Sequence, residues 1–226
     1  MKSLRTLLPA LLLVCLVVLA RINDAEGCSC SYTHPQTHFC TSDFVLVVKV
    51  KERIPLEHET AYRVKINRKF KLSNESHSQS LLEGRLYTAS MDSVCGVHLN
   101  VGETYIVSGR VYEGKPRIGL CNLVQRWSGV SRRQRRAFKG LYAKGCMCDV
   151  SYTPFERKGE ALHRAKGRLC PWEANPGPTD CQEQHGVCVM NQGRCFWMPS
   201  RSYDQCIHEH HQERLKNNQR MRDFMP

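Results

Sequence analysis

Two long segments near residue 50 carry the clearest pattern of apolar and polar positions, and each predicts a β-strand. Residues 44–50, FVLVVKV, are almost continuously apolar and β-branched, which is typical of a central strand. Residues 61–72 alternate instead, with an apolar side chain at most second positions and Arg or Lys between them. The ten residues between, KERIPLEHET, include Pro55 and predict a connection between two antiparallel strands.

Three shorter patterns predict further strands at residues 85–89, 104–110 and 115–120. Glycines lie at the intervals expected of turns between them, at Gly102, Gly109 and Gly114.

A helix is predicted after the strands. Ser131 followed by Gln134 forms a capping-box pattern, and the helix is expected to run to about Tyr142 and end at Gly145. Five strands and a late helix favour a mainly β fold with α, a five-stranded OB-fold-like barrel with helices. A β-sandwich is the main alternative on pattern alone. Residues 149–226 show little periodicity, and their charged tail reads either as a helix or as disorder.

The first 27 residues have the pattern of an export signal. A positively charged start and the apolar run 7–20 are followed by small residues at Ala25 and Gly27. This predicts a signal peptide, residues 1–27, that is cut between Gly27 and Cys28. The apolar run is short for a spanning helix, and no later segment is long and apolar enough to cross a membrane. The sequence therefore predicts a secreted, extracellular protein.

Charge narrows the class of partner. The chain has 33 Lys+Arg against 21 Asp+Glu, a net charge of +12, and residues 28–226 alone carry +11. This balance favours anionic partners such as sulfated glycans, extracellular matrix or acidic protein faces. Nucleic acid is disfavoured because the route is secretory.

Thirteen cysteines become twelve when Cys15 leaves with the signal peptide, and an even count in an exported chain predicts six disulfides. The count alone cannot assign the pairs. Cysteines are widely spaced before Cys146, as in a domain with its own core, and dense afterwards, as in a small module that needs disulfides. We therefore expect a domain over 28–146 and a small disulfide-rich domain with a charged tail over 147–226.

Two cysteines with one residue between them open the mature chain, Cys28 and Cys30. Zinc sites usually use longer Cys-x2-4-Cys spacings, so disulfides are favoured here. Two bridges would clamp an extended terminus at two places, each contributing on the order of 4 kcal/mol. A free amine at Cys28, with a pKa of about 7.7–8.0, could close a five-membered chelate with its own carbonyl on another protein's metal.

Three ordered motifs resemble the tissue inhibitors of metalloproteinases, a family with a netrin-like domain. They are CSCSYTHPQTHFC at 28–40 with TSDFVLVVKV at 41–50, SVCGV at 93–97, and the stretch from Gln125-Arg126-Trp127 to Cys146-x-Cys148. The resemblance covers residues 28–148 and implies an inhibitor of matrix metalloproteinases or related zinc endopeptidases, not an enzyme. It implies a monomer with no cofactor of its own.

The resemblance also implies site residues. The Cys28 amine and carbonyl would coordinate the catalytic zinc of the protease, and Ser29 would enter its specificity pocket. The expected protease-binding residues are Cys28, Ser29, Cys30, Ser31, Tyr32, Ser93, Val94 and Cys95. Tyr32 departs from the pattern, because the family usually has proline there. His34-Pro35-Gln36 match as well, with a role that looks structural.

The implied disulfide pairs are Cys28–Cys95, Cys30–Cys121 and Cys40–Cys146, and by position Cys148–Cys195 and Cys170–Cys188. The family's close-spaced bridge after the domain boundary is absent, because no cysteine lies between Cys148 and Cys170. Cys181 and Cys206 are left over and are predicted to pair with each other.

Other features are weaker. The sequon at Asn74 predicts a glycosylated surface loop. A basic patch is formed by Arg132, Arg133, Arg135 and Arg136. It is interpreted as a solvated helix face, as a contact for glycans or matrix, or as a proprotein-convertase cleavage site. For His208, His210 and His211, an exposed charged tail is favoured over a metal site. Two other functions stay open: a non-inhibitory netrin-like matrix- or receptor-binding module, and a ribonuclease-like hydrolase, for which no His/Lys pattern is found.

Overall fold

The computed structural model describes residues 27–152, 163–172 and 180–224. The predicted signal peptide, apart from Gly27, therefore lies outside the described residues. Within the described part of the chain, no helix has both the length and the apolar character needed to cross a membrane.

Five strands close into a barrel: β1 Phe44–Pro55, β2 Glu59–Leu72, β3 Arg85–Ala89, β4 Thr104–Tyr112 and β5 Lys115–Arg117. Their order is β1-β2-β3-β5-β4, and β4 pairs again with β1. Strands β3 and β5 are parallel and the other neighbours are antiparallel. The closed barrel confirms the predicted fold class, and the sandwich alternative is wrong.

A short sixth strand, β6 (Val124–Arg126), pairs with β4 and was not predicted from the sequence. The predicted strand at 115–120 is shorter than expected. It ends at Arg117 as β5, before the turn that holds Cys121.

The prediction that the ten residues around Pro55 form a connection is wrong. Strands β1 and β2 continue through most of it, and only residues 56–58 lie between them. The polar residues there pair across the hairpin, as where Arg63 donates to the Glu52 carboxylate at 2.7 Å. A polar two-stranded ribbon lacks the apolar pattern by which a strand is recognised.

Strand β1 is almost continuously apolar because both of its faces are buried. Phe44, Leu46 and Val48 point into the barrel core. Val45 and Val47 point outward, into a second core formed with the helices. A strand covered on both sides needs apolar residues at successive positions, and this explains the run FVLVVKV.

The helices lie outside the barrel. They are α1 Pro35–Thr41, α2 Glu75–Leu82, α3 Arg132–Arg136, α4 Tyr142–Lys144, α5 Cys181–His185 and α6 Arg201–Phe224. A π-helical turn, Ala137–Leu141, joins α3 to α4, and 3-10 turns occur at Asp92–Val94 and Trp127–Gly129. The capping box is confirmed: the Ser131 hydroxyl accepts from the Gln134 amide, and the Gln134 side chain accepts from the Ser131 amide.

Helix α1 was not predicted, although two signals mark its start. The His34 side chain caps it by accepting from the Gln36 amide at 3.1 Å, and Pro35 occupies its first turn. Histidine is not one of the usual capping residues, so the pattern is easily missed.

The C-terminal part is built from two small sheets. Strands β7 (Asp149–Tyr152) and β8 (Leu169–Trp172) are parallel, whereas β9 (Cys188–Asn191) and β10 (Arg194–Trp197) are antiparallel. A cluster of buried cysteines forms their core. The charged tail, which the sequence left open between helix and disorder, is helix α6.

The structure contains six disulfides: Cys28–Cys95, Cys30–Cys121, Cys40–Cys146, Cys148–Cys195, Cys170–Cys188 and Cys181–Cys206. These are the five pairs that the family resemblance implies, together with the pair of the two remaining cysteines.

A buried polar seam joins the barrel to the C-terminal part. The Gln36 amide donates to the carbonyl oxygens of Cys188 at 2.8 Å and Gly145 at 3.1 Å, and its oxygen accepts from the Cys188 amide at 2.8 Å. His34 Nε2 lies 2.9 Å from the carbonyl oxygen of Gln182. Both side chains are fully buried, so the role of His34-Pro35-Gln36 is structural.

The His34 ring is neutral in the folded protein. Burial lowers its pKa from 6.5 to about 4, and the partners of its two nitrogens explain why a second proton does not fit. Nε2 donates to a carbonyl oxygen, and Nδ1 accepts from the Gln36 amide. Protonated Nδ1 would face an N–H donor.

This arrangement predicts a pH-dependent stability. Because the folded-state pKa is lowered, His34 contributes fully to the free energy of unfolding above pH 6.5. This contribution should be lost as the pH falls toward 4, which lowers the free energy of unfolding by about 3 kcal/mol. Guanidinium denaturation at several pH values, with the disulfides intact, measures this. His34→Gln cannot titrate and should show a shallower dependence than the parent. An unchanged dependence in His34→Gln would contradict the assignment.

Candidate functional site

The first residues after Gly27 form a largely exposed edge with no regular secondary structure. Two disulfides clamp it to separate loops, Cys28 to Cys95 and Cys30 to Cys121, each with a Cα–Cα distance of 5.2 Å. We call residues 28–32 the clamped edge. Alternating residues are tied down, so the segment is held in place although no strand pairs with it.

The loop that receives Cys28 lies after the 3-10 turn Asp92–Val94. Cys95 has φ 63°, in the left-handed region. Gly96 follows, and a Cβ there would come within 2.4 Å of the Ala89 carbonyl oxygen. The Leu120 amide donates to the Cys95 carbonyl at 2.9 Å, which joins this loop to the one that holds Cys121. The clamped edge, the loop of Cys95 and the loop of Cys121 are therefore joined to one another.

Four large apolar side chains are exposed on these joined segments. Tyr32, Met91, Val94 and Leu120 have exposed fractions of 65%, 60%, 56% and 50%. Large apolar side chains exposed on one set of joined loops are typical of interaction surfaces. Met91 and Leu120 were not predicted from the sequence, because nothing in their local pattern separates an exposed apolar residue from a core one.

Tyr32 contacts the C-terminal part of the chain. Its ring lies edge-on to that of Tyr152, with 5.3 Å between centroids, and Tyr152 lies edge-on to Trp172 at 5.6 Å. Trp172 is fully buried, and its ring also contacts His34. A series of aromatic contacts thus runs from the clamped edge to the buried seam.

Among the described residues, two groups of three cysteines lie close enough to suggest a metal site: Cys28, Cys30 and Cys121, and Cys148, Cys188 and Cys195. All six sulfurs are in disulfides, so none is a free thiolate ligand. The cysteine sulfurs of the clamped edge are therefore not available as thiolate ligands.

The predicted basic patch divides into two parts. The Arg135 guanidinium donates to the carbonyl oxygens of Trp127 at 2.7 Å and Val130 at 3.0 Å, and it stacks on the Trp127 ring. Arg135 is thus a structural residue. The other three arginines line a pocket instead, namely Arg132, Arg133 and Arg136.

The remaining candidates lie on the surface. Asn74 is exposed between β2 and α2. His208, His210 and His211 are exposed on α6 and form no cluster with other metal-ligating side chains of the described residues.

The structure is thus a closed OB-type barrel that presents an exposed edge held by two disulfides. A family profile described as "Tissue inhibitor of metalloproteinase" matches residues 26–197. The chain therefore belongs to the tissue inhibitor of metalloproteinase family, a family of inhibitors and not of enzymes.

Curated relatives agree with this assignment. The chain is 30% identical to "Tissue inhibitor of metalloproteinase" of Drosophila melanogaster, over 81% of this chain and 87% of the relative. It is 33% identical to "Metalloproteinase inhibitor 3" of Xenopus laevis, over 76% and 81%. It is 34% identical to human "Metalloproteinase inhibitor 2", over 66% and 70%.

Proposed function

We propose that this protein inhibits zinc metalloendopeptidases, including matrix metalloproteinases, by inserting its clamped edge into the protease cleft. The supporting observation is the pair of disulfides that hold Cys28 and Cys30 while leaving the edge exposed. A segment already fixed in its binding conformation loses little entropy on binding, which favours a tight complex. The relatives named as metalloproteinase inhibitors support the same activity.

In the proposed complex, the amine and carbonyl oxygen of Cys28 coordinate the catalytic zinc of the protease. An amine must be deprotonated to bind a metal, and its ordinary pKa of about 7.7–8.0 allows this near neutral pH. Two ligands from one residue close a five-membered ring and displace the water that the protease needs for hydrolysis. The zinc belongs to the protease, and the inhibitor has no cofactor of its own.

The remaining site residues extend this contact. Ser29 follows the chelating residue and is exposed, so its side chain can enter the adjacent specificity pocket of the protease. Ser31 and Tyr32 continue the edge, and Ser93 and Val94 add the neighbouring turn. The direct test compares protein with a free Cys28 amine and protein with that amine blocked, in an inhibition assay against a zinc metalloendopeptidase.

The processing, location and assembly of the chain also belong to the proposal. We propose cleavage after Gly27, secretion to the extracellular space, glycosylation at Asn74 and action as a monomer. The division into domains 28–146 and 147–226 also stays a prediction. The excess of basic residues supports a second proposal, contact with sulfated glycans or matrix, which does not require inhibition.

Tyr32 should set the strength of inhibition through its contact with Tyr152. An aromatic pair of this kind contributes about 0.5–1.5 kcal/mol, so Tyr152→Ala should raise the inhibition constant about 2–10-fold, although Tyr152 is outside the clamped edge. Tyr112→Ala, which removes an exposed tyrosine on β4, is the matched control and should have no effect. Inhibition constants against one metalloproteinase measure this. Equal values for the two variants would show that the contact does not position the edge.

A further inference from the structure

A pocket of about 480 Å³ opens between α3 and the start of α6. Its volume lies in the range of small-ligand sites, about 300–1,000 Å³. It includes none of the residues of the clamped edge. The lining residues are Arg132, Arg133 and Arg136 from α3, His185 from the end of α5, and Ser200, Arg201 and Ser202 from the start of α6.

The lining is strongly cationic and its charges are not neutralised. None of the four arginines forms an ion pair with a carboxylate in the part of the chain that the structure describes. Like charges held together repel one another, and an anion between them removes that repulsion. Guanidinium groups also match the geometry of sulfate and phosphate oxygens, with which they form bidentate hydrogen bonds.

Two nitrogen atoms at this pocket have no partner. Arg133 Nε and His185 Nδ1 are both buried and make no hydrogen bond, and such atoms are uncommon in folded proteins. The pKa of His185 is lowered, first by burial and then by the charge of Arg133. The ring is therefore neutral, and the positive charge of the site comes from the arginines.

The start of α6 adds to the same field. This helix has 24 residues, and the first amides of a helix have no partner within it, which leaves a partial positive charge there. Asp204 in the first turn offsets part of that charge. Ser200 precedes the helix, and its hydroxyl accepts from the Tyr203 amide at 3.3 Å. Ser200 and Ser202 supply hydroxyl groups that can donate to an oxyanion.

The walls of the pocket are held in place by bonds between α3 and α5. The Ser131 hydroxyl donates to the Gln184 carbonyl at 2.6 Å, and the Gln134 amide donates to the Glu183 carbonyl at 3.0 Å. The Cys181–Cys206 disulfide ties α5 to α6. Three separate helices therefore line one space, with the cationic groups on α3 and α6, and little has to be ordered when a ligand binds.

We propose that this pocket binds a sulfate group of a sulfated glycan, with neighbouring sulfates reaching the exposed Arg132, Arg136 and Arg201. Phosphate has the same chemistry. The glycan is favoured because six disulfides indicate an oxidising, extracellular setting, where sulfated polysaccharides are the abundant polyanions. The site rests on the proposed contact with sulfated glycans, to which it gives a location, and it is independent of the proposed inhibition.

The test measures binding of a heparin octasaccharide to the full-length protein by calorimetry at 150 mM NaCl. Arg133→Gln/Arg201→Gln should weaken binding at least tenfold. Arg53→Gln/Arg110→Gln removes the same charge from two exposed arginines outside the pocket and should change binding less than twofold. Inhibition of a metalloproteinase without heparin should be the same for all three proteins.

Equal loss of binding in the two double variants would overturn the proposal, because the attraction would then come from net charge alone. Chemically desulfated heparin should not bind. Inorganic phosphate at 10 mM should not displace the octasaccharide, and displacement would identify a phosphate site instead. Tighter binding to phosphatidylserine vesicles than to heparin, lost in the pocket variant, would reassign the pocket to membrane headgroups and overturn the glycan proposal.

Discussion

Adding one alanine before Cys28 should raise the inhibition constant for a matrix metalloproteinase at least about 1,000-fold, equivalent to about 4 kcal/mol. The extension converts the Cys28 amine into an amide, whose nitrogen lone pair is delocalised into the peptide bond and does not bind zinc. Acetylation of the amine should have the same effect. Titration of the protease with authentic and extended protein measures the change.

The extended protein should still fold. Gly27 precedes Cys28 in the structure and is exposed, and a Cβ at Gly27 would meet no atom within 4 Å. The thermal midpoint should therefore be unchanged, and all six disulfides should form. An alanine added after Pro226 is the matched control, because it has the same mass and leaves the amine free.

Each outcome of this comparison is informative. If the extended protein inhibits as well as the control, zinc chelation by Cys28 is wrong. If protein that begins at Cys28 inhibits no zinc endopeptidase tested, the alternative of a non-inhibitory netrin-like binding module is favoured. Inhibition of a zinc protease requires the free amine of Cys28, whereas a non-inhibitory binding module with the same fold does not require it.

Gln36→Ala should lower the free energy of unfolding by about 3 kcal/mol. The substitution removes three hydrogen bonds across the seam and leaves buried backbone groups of Cys188 without a partner. An unsatisfied buried polar group costs about 1–3 kcal/mol, so the loss should exceed that of an ordinary side-chain truncation. Guanidinium denaturation with the disulfides intact measures this loss.

Thr37→Ala is the matched control for this prediction. Thr37 is the next residue of α1 and is half-buried, and its truncation should cost less than about 0.5 kcal/mol. A loss below 1 kcal/mol for Gln36→Ala would show that water replaces the amide and that the seam contributes little. Gly145 occupies the same seam, where a Cβ would come within 1.9 Å of the Cys188 carbonyl oxygen, so little space for rearrangement is available.

Local patterns predicted those parts of the fold that depend on neighbours in sequence. The strands at 44–50 and 61–72 and the capping box at Ser131 were recognisable because alternation and capping are local properties. The extension of both strands to residues 55 and 59 and the short strand β6 were missed. Their backbones are held by cross-strand partners and not by an apolar pattern of their own.

The sequence by itself determined the family, the expected function and the chemical identity of the clamped edge. Those conclusions depend on residue types at fixed spacings, such as Cys28-x-Cys30 and the HPQ that follows, and spacing is visible without coordinates. Twelve cysteines did not by themselves determine their pairs, and the resemblance was needed to propose them.

Only the tertiary structure decided which side chains meet across long stretches of chain. It placed Tyr32 against Tyr152, and it separated Arg135, which supports the fold, from Arg133, which lines the pocket. It also brought Arg201 from the tail to the same pocket. The physical reason is that the position of a side chain depends on how distant elements pack, and four arginines within five residues look alike until their neighbours are known.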